Sequence, residues 1–90
     1  MTVVCRASSE GWSCVVQVGS GGRANEHDVS VSAAELRRFA PKSTEPTGLV
    51  ERSFLFLLER EPKESILRRF ALSDIERYFP DYPAVIGAAA

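Results

Sequence analysis

Cysteine and histidine are scarce in this chain of 90 residues, which has two of the first and one of the second. Structural zinc sites need about four such ligands, so a metal centre would have to borrow from a second chain. No Cys-x-x-Cys spacing occurs, which removes the usual redox motif. Charge of one sign is lacking too. Eleven Lys/Arg stand against twelve Asp/Glu, for a net charge of −1. The first 42 residues carry five basic and four acidic groups, and the remainder six and eight. Neither half has the basic excess that counterion release from nucleic acid favours, although a local patch remains open. Long apolar runs are missing; the longest strongly apolar stretch, Phe54–Leu58, is far short of a membrane span. Arg6 and Ser8–Glu10 interrupt the N-terminal region before a secretory leader develops, so a cytosolic setting and no membrane contact are expected. There is no internal repeat and no linker, and a composition of 44% hydrophobic and 26% charged residues excludes disorder. One domain, residues 1–90, is expected.

The first third of the chain reads as strands. Thr2–Ala7 and Ser13–Val18 are rich in β-branched residues and flank a turn-like Ser8-Ser9-Glu10-Gly11-Trp12. A turn centred on Ser9–Glu10 sets Val3 opposite Val16, Cys5 opposite Cys14 and Ala7 opposite Trp12, and a register slipped by two residues keeps the same side chains on that face. One face is then apolar, and the other carries Val4, Arg6, Ser13, Val15 and Gln17. Gly19–Gly22 breaks the second strand, and Glu26–Ser32 resumes alternation with Val29 and Val31 inward. A three-stranded antiparallel meander over residues 1–32 is expected.

The rest reads as short helices, residues 33–82, packed on that sheet in an α+β fold. Ser32-Ala33-Ala34-Glu35 fits a capping box at the start of a helix burying Leu36 and Phe39. Pro46 opens a central helix to Arg60. Val50, Phe54, Leu57 and Leu58 share one side of it. Leu49 and Phe56 lie beyond the edge of that side, and Leu55 falls between Glu51 and Glu59. A helix apolar around so much of its girth needs cover on two sides. Pro62 begins a third predicted helix through Phe70 with Ile66, Leu67 and Phe70 inward. Ser73-Asp74-Ile75-Glu76 repeats the capping-box pattern before Ile75, Tyr78, Phe79 and a stop at Pro80. Residues 83–90 are expected to be a frayed tail, or a small patch docked on the core.

Ser53-Phe54-Leu55-Phe56-Leu57-Leu58-Glu59-Arg60-Glu61-Pro62, followed by Glu64-Ser65-Ile66-Leu67, Phe70, Ile75 and Tyr78-Phe79-Pro80, resembles a pattern in a group of short uncharacterised bacterial proteins. The resemblance covers about the last forty residues well and the strands loosely. It implies a bacterial cytosolic protein of this size and carries no activity. In that group a polar residue often stands where this chain has Leu55, which singles that position out.

Chemistry-bearing constellations are thin. Cys5 and Cys14 face each other, so a disulfide or redox pair is one reading; a reducing cytosol and an apolar strand face favour two small buried hydrophobes. Gly19-Ser20-Gly21-Gly22-Arg23 lacks the helix and the Gly-Lys-Ser/Thr ending of a phosphate loop, and reads as a hairpin loop. His27, between Glu26 and Asp28, resembles an acid–base cluster, but neighbours in a strand point to opposite faces, and it reads as a surface histidine. Ser32 and Ser73 read as caps, and no nucleophile elbow occurs. Catalysis, cofactors and metals are therefore not expected. Arg37, Arg38 and Lys42 end the first helix and Arg68 and Arg69 the third; they suit helix dipoles, and alternatively form an anion-binding patch for nucleic acid. A helix-turn-helix built on the last two helices would open its reading helix with two carboxylates, which disfavours it.

Apolar surplus is the remaining signal. Leu55, Phe56, Tyr82 and the Ala84–Ala90 tail exceed what so small a domain readily covers. The expected function is a non-enzymatic module that binds another protein or its own copy. Leu55 and Phe56 are the expected anchors and Arg52 and Glu59 the charged rim.

Overall fold

The computed structural model describes residues 1–19, 22 and 24–89, apart from the side chains of 88 and 89. Strands β1 (Thr2–Ser8), β2 (Gly11–Val18) and β3 (Asn25–Ser32) form the expected antiparallel meander. The register is the one that the Ser9–Glu10 turn dictates, with Val3, Cys5 and Ala7 opposite Val16, Cys14 and Trp12. Gly11 has no room for a side chain: a Cβ there would run into the Val31 carbonyl oxygen and lie 2.7 Å from the Ser32 Cα. Glycine thus lets β2 and β3 meet closely where β3 gives way to α1 (Ala33–Phe39). The Gly19–Arg23 loop lies mostly outside the described residues; Gly19 takes a positive φ of 101°, open to a residue without Cβ.

Ser32 and Glu35 form the capping box at α1. The Glu35 amide donates to Ser32 Oγ at 3.0 Å, and the Ser32 amide to Glu35 Oε1 at 2.7 Å. The other oxygen of the same carboxylate accepts from the Ser73 amide at 2.8 Å. One side chain therefore ties the start of α1 to the start of α3 (Asp74–Tyr78). Ser73 itself is not a second capping-box residue. Its backbone is already helical and its side chain makes no capping bond. Instead Asp74 Oδ2 takes the Ala71 amide at 3.0 Å.

The largest departure from expectation is at residues 62–72. No third helix runs from Pro62 to Phe70. A single 3-10 turn (Lys63–Ser65) leads into a short strand, β4 (Arg69–Ala71), parallel to β3. The sheet is therefore four-stranded and mixed, in the order β1-β2-β3-β4, and not a three-stranded antiparallel one. The reason is backbone satisfaction. The open edge of β3 presents amides and carbonyls that need partners, and Asp28 N donates to Arg68 O at 2.7 Å while Leu72 N donates to Ser30 O at 3.0 Å. Ile66, Phe70 and Leu72 are buried at even positions, a spacing that a strand and a helix share over so short a run. Leu67, expected inward, is 49% exposed.

All helices lie on the inner face of the sheet, where Cys14, Val16, His27, Val29, Val31 and Phe70 point. Helix α2 (Thr47–Leu58) buries Leu49, Val50, Ser53, Phe54, Phe56 and Leu57. Phe54 meets the sheet, its ring 5.4 Å from His27 and 6.0 Å from Phe70. On another side, Phe56 packs edge-on against Phe79 at 5.8 Å and Tyr82 at 5.3 Å. That second cover is α4 (Tyr82–Ala89), a helix where a frayed or patch-like tail was expected. Tyr82 and Ile86 are spaced one turn apart, and both are buried.

Tyr82, expected among the surplus apolar residues, is completely covered. Its ring also touches Phe39 at 5.1 Å, and its hydroxyl lies 2.7 Å from Ser53 Oγ. Ser53 donates its single hydroxyl proton to the Leu49 carbonyl at 2.7 Å, so the tyrosine donates to the serine. Burial pushes the Tyr82 hydroxyl from its ordinary 10.0 up to about 12. Below the ordinary value both folded and unfolded chains keep the proton, and stability is intact. Between the two values the unfolded chain ionises first, so stability falls with rising pH, by about 3 kcal/mol in all. Tyr82→Phe is expected to cost about 1 kcal/mol at neutral pH and to flatten that alkaline fall, as read from urea unfolding of both proteins across the window between 10 and about 12.

Candidate functional site

The segment that replaces the expected third helix creates an apolar recess on the helical side of the molecule. Beyond the end of α2 the chain turns at Pro62, passes Ile66 and Leu67, enters β4 and rises into α3. Side chains from these pieces enclose an open groove of about 380 Å³. Leu57, Ile66, Phe70, Ile75 and Phe79 line it from the core, and Leu67 and Tyr78 stand at its mouth. Tyr78 is 66% exposed, the most exposed of the large apolar side chains described. The charged side chains lining the groove are Glu61 and Asp74, both acidic. Asp74 is held in place by the Ala71 amide, and its second oxygen lies 3.5 Å from the Arg77 guanidinium. Such a recess suits an apolar side chain accompanied by a cation.

The wall of the groove hangs on His27. Its Nδ1 lies 2.8 Å from the Leu67 carbonyl oxygen, so the imidazole donates there. Nε2 is then a bare acceptor, buried and without a hydrogen-bond partner. The expectation of a surface histidine is overturned: His27 is 1% exposed. Strand parity places it with Val29 and Val31, so the signal was in the pattern, and its polar type obscured it. In the register His27 sits opposite Val16 while Cys14 sits opposite Val29, so the histidine is not paired with a thiol.

The expected anchor pair is split. Leu55 is exposed at 55%, between charged neighbours on the outer side of α2. Phe56 is buried at 3% and does not accompany it. Arg60 closes over its ring at 3.6 Å and holds Asp81 at 2.9 Å. Phe56 therefore serves the join between α2 and α4 and is not available as an anchor. Arg52 is half-buried, with its Nε covered and lacking a partner, and Glu59 forms the exposed C-cap of α2.

The basic candidates do not share one surface. Arg37, Arg38 and Lys42 lie at the end of α1, on the helical side, where Arg38 is engaged by Glu76 at 2.9 Å. Arg69 projects from the outer face of the sheet, beside Asp28 at 3.6 Å, and Arg68 precedes it, exposed. A helix-turn-helix is absent because its first helix is a turn and a strand. Among the described residues no three His, Cys, Asp or Glu side chains come together as a metal set, and no helix is long and apolar enough to cross a membrane.

Cys5 and Cys14 are joined in a disulfide, the alternative to the favoured reading of two small buried hydrophobes. The register that sets them opposite one another also brings their sulfurs together, so the pairing follows from the turn. Comparison with protein-family models, with curated proteins and with solved structures finds no match to this chain.

The disulfide closes a ring over a sequence separation of 9. Chain entropy assigns a ring of that size about 2.5 kcal/mol. Reduction with dithiothreitol is expected to lower the unfolding free energy by about that amount, measured as a shift in the urea midpoint, while the circular dichroism of the native sheet persists.

Proposed function

We propose that this chain is a non-catalytic protein-interaction module whose groove receives an apolar side chain flanked by a basic one. The observation that carries this reading is the recess between Leu67 and Tyr78, apolar within and bordered by Glu61 and Asp74. Two large apolar side chains held half out of the core cost solvation that a partner recovers. Glu61, with Asp74 shared by the exposed Arg77, favours a positively charged partner over an acidic one. A short amphipathic segment with one aromatic or leucine anchor and a Lys or Arg one turn away has the matching chemistry.

Leu55 takes a secondary place in this proposal. It is a single apolar residue among charges, without the recess that gives an anchor its energy. Nucleic-acid association is the weaker alternative, because its candidate arginines sit on opposite layers and two of them are engaged by carboxylates. A disulfide persists where thiols are not kept reduced, so the Cys5–Cys14 bond weighs against the cytosolic setting expected from the sequence.

Two sets of synthetic amphipathic peptides, identical except for Lys/Arg or Glu beside a Leu or Phe anchor, test the proposal by NMR titration. The basic set is expected to shift the resonances of Leu67, Tyr78 and Ile75, and Leu67→Ala with Tyr78→Ala to weaken binding about tenfold or more. Shifts that spare these residues, or equal binding of the acidic set, would defeat the proposed partner chemistry.

A further inference from the structure

Strand β1 is an outer strand of the sheet and is hydrogen-bonded on one side only. It is seven residues long, and its register with β2 runs unbroken from Thr2 to Ser8. It contains no proline and no bulge, and Arg6 is its one charge. These are the devices that normally blunt an exposed edge, and here only one is present. The opposite edge, β4, has just three residues. The Cys5–Cys14 bond also pins β1 to β2, so the strand is held extended before any partner arrives.

The direction of the free hydrogen-bonding groups follows from the hairpin. Ser8 and Gly11 flank a two-residue turn and form the closing hydrogen-bonded pair. Pairs alternate along an antiparallel ladder, so Ala7, Cys5 and Val3 are non-hydrogen-bonded toward β2. The short Cα separation of 4.0 Å between Cys5 and Cys14 agrees with that class. The amides and carbonyls of Val3, Cys5 and Ala7 therefore point out of the sheet edge, and no hydrogen bond among the described residues reaches them from that side.

We propose that this edge pairs with β1 of a second copy of the chain, antiparallel and about a two-fold axis at Val4. Self-complementarity selects the second copy and the register together. With the axis at Val4, Val3 exchanges bonds with the other copy's Cys5, and Thr2 faces the other Arg6. The two Val4 side chains, each 63% exposed in the single chain, then meet on the outer face at a closely spaced pair. An axis at Cys5 sets Val4 against Arg6 and leaves the valines apart. An axis at Arg6 brings like charges face to face, which is repulsive. The pairing is isologous and closes at two copies, because the short β4 edge cannot continue it into a filament.

Amide exchange measured by NMR at rising protein concentration, beside sedimentation equilibrium, tests the proposal. The expected mass approaches twice the 9.9 kDa of one chain. The amides of Val3 and Cys5 are expected to become protected as it does, while those of Val4 and Arg6, already bonded to β2, are protected throughout. Val4→Lys, at an exposed position that leaves the fold intact, is expected to weaken association about tenfold or more. Val15→Lys, on the same outer face but on β2, is expected to leave it nearly unchanged. A chain that stays monomeric at millimolar concentration overturns the proposal. So does a dimer in which Val3 and Cys5 exchange as freely as before, or one indifferent to Val4→Lys, because association would then use another surface.

Discussion

The constraint on which this structure depends is the girth of α2. Its buried residues point in more directions than one sheet can cover, with Phe54 turned to the strands and Phe56 turned away from them. Burying an apolar side chain of this size is worth roughly 1.5–3 kcal/mol, so leaving either ring in water would consume much of a small domain's margin. The chain resolves this by bringing α3 and α4 around the far side. Tyr82 is the piece that closes the arrangement. It is wedged against Phe39 and Phe56, and Ser53 gives its hydroxyl an acceptor inside the core. The outer face of the sheet can stay largely polar because most of the apolar demand is met on the other side.

Polar contacts then fix which way the pieces go around. The Glu35 carboxylate holds the starts of two helices with its two oxygens. Arg60 covers the Phe56 ring while gripping Asp81, just ahead of the last helix. His27 reaches from β3 to the Leu67 carbonyl. Each links segments that hydrophobic burial alone would leave free to slide, since burial has no direction.

The three strands of the meander and their faces were readable from alternation with β-branched residues, and the turn at Ser9–Glu10 decides between registers that share those faces. The Ser32–Glu35 box was readable because its bonds are local. What failed depended on distant parts of the chain. Residues 66–72 read equally as a helix or a strand, and only the vacant edge of β3, some forty residues away, decides between them. Tyr82 and Ile86 have helical spacing, but a run of small residues around them hid it. The candidate site depends on distant parts of the chain in the same way. Leu55 is legible as exposed from its charged flanks, whereas the groove is assembled from a turn and a strand whose local pattern reads equally as a helix. For His27 strand parity points inward while its polar type points outward, and for the cysteine pair the facing register is legible but leaves the redox state open.

The short ladder between β3 and β4 carries one more implication. Three residue pairs, the imidazole and the Asp74 carboxylate hold this span to a meander that is itself cross-linked by a covalent bond. Such a molecule is expected to open unevenly, with its weakest cooperative unit at residues 62–79 and its strongest at the hairpin. The walls of the recess would then breathe while the rest stands still. A guest that settles there would be felt first as a quieting of that motion, and only later, if at all, as a change of shape.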